Sequence, residues 1–268
     1  MFWRAAGGVV GIGNTDMDYI SFGTGRNTLI MLPGLGDGLT TVKGMAILMA
    51  LTYRMYAKDY KVYVFSRKNH LEPGCSTRDM AKDQAAAMKT LGITKANILG
   101  VSQGGMIAQY LAIDYPDLID KLVLAVTLSR QNETVQEVVA NWIRMAEHKD
   151  YKGLLTDTAE KSYSEAYIKK YRLLYPLLGK IGGPKEFSRF LIQAASCIRH
   201  NAYDQLGNIT CPTLIIGGTS DKIVGAAASV ELANQIGHSE LYLYEGLGHA
   251  LYEEAKDFPS RVMDFLRR

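Results

Sequence analysis

Short apolar runs alternate with stretches of helical periodicity along most of this chain, and that alternation limits its possible folds more than any other feature. Runs rich in Val, Ile, Leu and Tyr occupy residues 28–32, 62–65, 96–101, 122–126, 213–216 and 241–244. They have the length of buried strands rather than helices. Helical spacing follows at 41–58, 77–90, 103–114, 225–235 and 255–266. Strands alternating with helices imply a mostly parallel sheet with helices on both faces, an α/β fold. The residues before 28 are expected to add one or two strands, with 18–21 the best candidate.

One interval breaks the rhythm. From about 129 to 208 no strand pattern occurs, and helical periodicity recurs at 135–146, 162–175 and 185–200. This reads as a helical cap inserted between two strands. The expected division is an α/β core of residues 1–128 and 209–268 and a cap of residues 129–208.

Composition narrows the function. With 268 residues, 47% hydrophobic and 21% charged, the chain can bury a full core. A net charge of +3 without a dense basic run gives no reason to expect a nucleic-acid partner. No apolar stretch reaches membrane-spanning length, and the N-terminus lacks the pattern of a signal peptide. Cys75, Cys197 and Cys211 are scattered and form no C-x-x-C pair, so neither zinc nor a disulfide framework is expected. Reduced thiols in a cytoplasm fit this pattern.

The chemistry gathers at the strand ends. Gly100-Val101-Ser102-Gln103-Gly104 is a G-x-S-x-G placed between the 96–101 run and the 103–114 helix. A turn this tight strains the serine backbone and projects its hydroxyl, while the Gln103 amide opens the helix beside it. The alternative is a glycine-rich turn whose serine merely caps the helix. A serine nucleophile needs a base. His249, in Gly248-His249-Ala250, follows the 241–244 run. His70, His148, His200 and His238 sit in a polar loop, a helix end, the late cap and a turn. The base needs an orienting acid. Asp221 follows the 213–216 run, and helix capping is its alternative role. Glu133 is the rival acid, further from its strand end. In a parallel sheet all C-terminal strand ends lie along one edge, so topology would gather Ser102, Asp221 and His249.

The run at 28–32 ends in Pro33-Gly34-Leu35-Gly36-Asp37-Gly38. Glycine permits the angles that turn an amide inward, and the amides of Leu35 and Gln103 are the expected oxyanion donors. A dinucleotide loop would need G-x-G-x-x-G, and Leu39 occupies the last glycine position. Asp37 is open between a turn residue and a pocket residue.

These motifs resemble the cap-containing α/β-hydrolase superfamily over nearly the whole chain. The matching stretches are Leu32-Pro33-Gly34, the 100–109 segment, Cys211-Pro212-Thr213-Leu214-Ile215-Ile216-Gly217 and Gly248-His249, with Tyr115-Pro116 turning into the next strand. The resemblance implies a sheet of about eight strands, one antiparallel, with the nucleophile after the fifth strand and the cap after the sixth. Many relatives carry His-Gly where this chain has Pro33-Gly34. The implied activity is cleavage of a small ester, thioester or lactone through a Ser-His-Asp triad without a cofactor. Carbon–carbon bond hydrolysis, lyase or acyl-transfer chemistry on the same fold is the alternative, and a ligand receptor with a vestigial triad a further one. Gly34, Tyr167 and Tyr171 are the candidate pocket residues. Tyr163, Tyr167, Tyr171 and Tyr175 recur every four residues, a face that either packs the cap onto the core or roofs the pocket.

Overall fold

A computed structural model describes residues 3–171 and 183–268. Eight strands form one sheet: β1 (Ala6–Ile12), β2 (Thr15–Phe22), β3 (Asn27–Leu32), β4 (Tyr60–Lys68), β5 (Ala96–Val101), β6 (Ile119–Ala125), β7 (Thr213–Gly218) and β8 (Ser239–Tyr244). Their order is β1-β2-β4-β3-β5-β6-β7-β8. Strand β2 runs antiparallel to both β1 and β4, and all pairs from β4 to β8 are parallel. The expected α/β sheet with one antiparallel strand is therefore present.

The central strands are apolar on both faces because helices cover both. Along β5, Ile98 joins one core and Leu99 the other; β6 and β7 split the same way, with Leu122 and Ile215 on one side and Val123 and Ile216 on the other. This is the period-two alternation of a strand between two layers. Helices α2 (Thr77–Thr90) and α3 (Gln103–Asp114) cover the first face. Helix α1 (Ala46–Thr52) and residues of the last helix cover the second.

Between β6 and β7 the described helices are α4 (Glu133–Glu147), α5 (Tyr151–Ser162), α6 (Glu165–Tyr171) and α7 (Ser188–Ile198). Helices α4, α5 and α7 share an apolar cluster, including Val138, Trp142, Leu154 and Phe190, with Leu35 and Met106 of the core. After β7 come α8 (Ala228–Gln235), α9 (Leu251–Glu254) and α10 (Phe258–Arg267). Among the described residues no helix is long and apolar enough to cross a membrane.

Several helical segments differ from the periodicity reading; those at 225–235 and 185–200 begin helix three residues later, at Ala228 and Ser188. The 41–58 segment is helical only over α1: Gly44 takes φ 79°, and Thr41 and the Val42 amide are held by Asp18 and Ser66. The 255–266 segment begins helix at Phe258, because Pro259 suits only the first turn. The 162–175 segment is broken at Tyr163–Ser164, where Glu254 accepts hydrogen bonds from the Ser164 amide and hydroxyl; residues 172–175 lie outside the described residues.

Candidate active site

Strand register brings the site together. Leu32 pairs with Gly100, Val101 with Ala125, Ala125 with Ile216, and Gly218 with Tyr244. The strands thus end level, and the residues just beyond them meet along one edge.

Ser102 follows β5 with φ 53° and ψ −120°, a left-handed-side conformation that costs a non-glycine residue on the order of 1–3 kcal/mol. The turn is held by its neighbours: the Ser102 amide donates to the Ala125 carbonyl at 2.9 Å, and its carbonyl accepts from Thr127 Oγ1 at 2.8 Å. Close packing requires the flanking glycines. A Cβ on Gly104 would run into the Leu32 carbonyl, and one on Gly100 would lie 2.6 Å from the Gly104 carbonyl oxygen.

Ser102 Oγ lies 2.9 Å from His249 Nε2, and His249 Nδ1 lies 2.8 Å from Asp221 Oδ2. The other Asp221 oxygen accepts from the amides of Ile223 at 2.8 Å and Val224 at 3.0 Å. Burial of Asp221 raises its pKa, but the His249 charge and the hydrogen bonds from His249, Ile223 and Val224 outweigh this and hold it below the ordinary carboxylate range. Asp221 is therefore an anion that orients the ring. Glu133, the rival acid, is exposed at the start of α4. His200 is buried elsewhere, against Thr77 and Gln109.

Leu35 opens a 3-10 turn (Leu35–Gly38), and Gln103 opens α3. Amides at a helix start have no partner within the helix, and the positive end of the helix lies there. Both flank the Ser102 turn: a Cβ on Gly34, the residue before Leu35, would stand 3.3 Å from Ser102 Cβ. Gln103 turns its side chain the other way. It is fully buried, receiving Arg67 Nη2 at 3.1 Å and donating to the Gln193 carbonyl at 2.9 Å.

A family model described as alpha/beta hydrolase fold matches residues 27–152. Among curated proteins, a 2-hydroxy-6-oxononadienedioate/2-hydroxy-6-oxononatrienedioate hydrolase of a Pseudomonas species is 27% identical over 201 residues, spanning 72% of this chain and 71% of the relative. Among solved structures, MGS-M2, an alpha/beta hydrolase enzyme from a Medee basin deep-sea metagenome, superposes with a TM-score of 0.84 at 21% identity, covering 97% and 98% of the two chains. The enol-lactonase of Burkholderia xenovorans LB400 gives 0.81 at 19% identity, covering 97% and 100%. The chain has the α/β-hydrolase fold.

In this α/β-hydrolase fold, Ser102 and His249 open onto a cavity of about 490 Å³. Its walls come from the core side (Val42, Met49, Tyr53) and from the helices between β6 and β7 (Trp142, Leu154, Phe190). Gly34, Leu35 and Asp37 also line it. Tyr167 is not among the described lining residues; its ring stacks on Tyr163 with centroids 4.5 Å apart. The side chain of Tyr171 lies outside the described residues. The His249 loop and the cap helices are tied directly: the Ala250 amide donates to the Ser162 carbonyl at 2.9 Å, and Tyr163 donates to Glu253 at 2.6 Å.

Sequence reasoning missed a buried polar cluster behind the 34–38 loop. Arg67 Nη2 donates to the Pro33 carbonyl at 2.5 Å as well as to Gln103. The Arg67 amide donates to Asp37 Oδ2 at 3.1 Å, and Arg189 of α7 pairs with the same oxygen at 2.5 Å. Asp37 is thus both buried and cavity-lining. The only sequence signal was a charged residue at the end of an apolar strand, which alone is ordinary. Among the described residues no three His, Cys, Asp or Glu side chains group as a metal site.

Proposed function

We propose that this α/β-hydrolase cleaves a small ester, thioester or lactone through an acyl-enzyme. The observation that carries this reading is the unbroken row from Ser102 Oγ through His249 to Asp221 at the wall of a largely apolar cavity. Ser102 Oγ attacks the carbonyl carbon as its proton passes to His249 Nε2. The amides of Leu35 and Gln103 hold the resulting oxyanion. The tetrahedral adduct collapses as His249 gives its proton to the leaving alkoxide or thiolate. Water then attacks the acyl-enzyme, with His249 taking its proton and returning it to Ser102. Asp221 stays ionised throughout and stabilises the imidazolium.

Residues 129–208 act in this reading as the cap, closing the cavity over the reacting bond and limiting water entry. The cavity volume suits a small-molecule substrate. Three free thiols, Cys75, Cys197 and Cys211, suit a reducing compartment such as the cytoplasm.

The test is covalent labelling. A fluorophosphonate should modify Ser102 in the wild type and leave Ser102→Ala unlabelled, and a panel of short activated esters, thioesters and lactones should show turnover that Ser102→Ala lacks. No labelling and no turnover in folded wild-type protein would sink the proposal. The name of the Pseudomonas relative favours a second reading, hydrolysis of a carbon–carbon bond in an oxo-dienoate. Product analysis with such a compound beside the esters separates the two.

A further inference from the structure

The charged groups around the cavity are unevenly distributed. Among its described lining residues the charged side chains are Asp37 and Glu253, and no Lys or Arg is among them. The guanidiniums at the 34–38 loop are already engaged, and that of Arg189 neutralises Asp37. Arg189 donates from Nε to the Lys68 carbonyl at 2.9 Å, from Nη1 to the Asp37 carbonyl, and from Nη2 to the Asp37 carboxylate and the Arg67 carbonyl. Arg67 is 1% exposed and points its Nη2 at Pro33 and Gln103, behind the loop rather than into the cavity. Glu253 receives its hydrogen bond from Tyr163, a neutral phenol.

A carboxylate entering such a cavity loses water and meets the Glu253 carboxylate, with no uncommitted cation in the described wall to receive it, since Asp37 is already paired with Arg189. Desolvating an ion without a partner is among the costliest events in binding, and the like charge of Glu253 adds to it. We infer that the cavity selects electrically neutral, largely apolar acyl compounds and discriminates against substrates that carry a carboxylate. This sets the chain apart from the relative named for a dienedioate, whose substrate is a dianion by its name. The inference rests on the Ser102 reading only where turnover is measured.

Two measurements test it. The first compares kcat/KM for p-nitrophenyl pentanoate and mono-p-nitrophenyl glutarate, which share acyl length and differ by one terminal carboxylate. The glutarate should be poorer by about 30-fold or more. Glutarate turnover within about threefold of the neutral ester overturns the inference. The second needs no catalysis. In Ser102→Ala protein loaded with Nile red, hexyl butyrate should displace the dye at a concentration at least about tenfold lower than monohexyl succinate does. A smaller ratio, or no displacement by either, overturns the inference. If neither activated ester is turned over while the displacement ratio holds, the hydrolase reading fails and the charge selection stands.

Discussion

At Arg67 a single buried guanidinium touches both sides of the proposed oxyanion site. It holds the Pro33 carbonyl, one residue before Gly34, and the side chain of Gln103, whose amide starts α3. Burial pushes its pKa down to about 10, partly offset by Asp37, so it remains charged at neutral pH. Its role is to fix the relative position of two amides, and position matters most in the transition state. Arg67→Lys should therefore lower kcat about 10- to 100-fold with KM changed less than about threefold. Steady-state kinetics on a short ester decide it; a raised KM with unchanged kcat would show that Arg67 serves substrate binding instead. Asp221→Asn keeps the shape but removes the anion beside His249, and kcat should fall on the order of 10³- to 10⁴-fold. The three residues of the row were legible from sequence because each follows a strand end. Arg67 was not, because its partners come from residues 33 and 103, and no local pattern records that meeting.

Among elements, the contact of β3 with α3 is the most demanding. Gly104 sits against the Leu32 and Pro33 backbone, and backbone cannot move aside as a side chain can. Gly104→Ala should force strand and helix apart, costing more than about 2 kcal/mol and most of the activity. Gly36 lies in the neighbouring loop, yet a Cβ there meets nothing within 4 Å, and Gly36→Ala should stay within about 1 kcal/mol of wild type. Urea denaturation of the pair gives the comparison. On the cap side Trp142 lines the cavity and donates to Asp157 at 2.7 Å. Trp142→Ala should cost about 3–5 kcal/mol and shift the preferred acyl length upward, read from a series of p-nitrophenyl esters. The sequence located α2, β5 and α3 at their observed ends, because capping residues and strand–helix turns are local signals. It overran at 41–58 and 255–266, where a buried tether and a proline set the helix start.

Among the described residues, the buried His200 links cap to core. His200 follows α7, where the chain leaves the cap, and its ring lies 2.9 Å from Thr77 Oγ1 and 3.4 Å from Gln109 Oε1. Burial pulls its pKa down to about 3, so the native ring is neutral across ordinary pH. The unfolded chain protonates near 6.5. Below that pH it binds a proton that the native state does not, so native stability falls as pH drops from about 6.5 toward about 3. At pH 5 the loss relative to pH 7.5 should be about 2 kcal/mol. His200→Gln should melt lower at pH 7.5 but lose less Tm on going to pH 5; equal losses would show that another group sets the acid sensitivity.

By itself the sequence determined the α/β alternation, the strained serine turn and the row of Ser102, Asp221 and His249. Strand length, apolar periodicity and glycine spacing are local properties, and parallel topology places every strand end on one edge. Only the tertiary structure decided what lines the cavity and which charges it leaves uncommitted. Those depend on helices from opposite sides of the chain meeting over Ser102, and on Asp37 engaging Arg189 more than 150 residues away. Such pairings have no periodicity to read, because they are fixed by packing and desolvation once the sheet has formed.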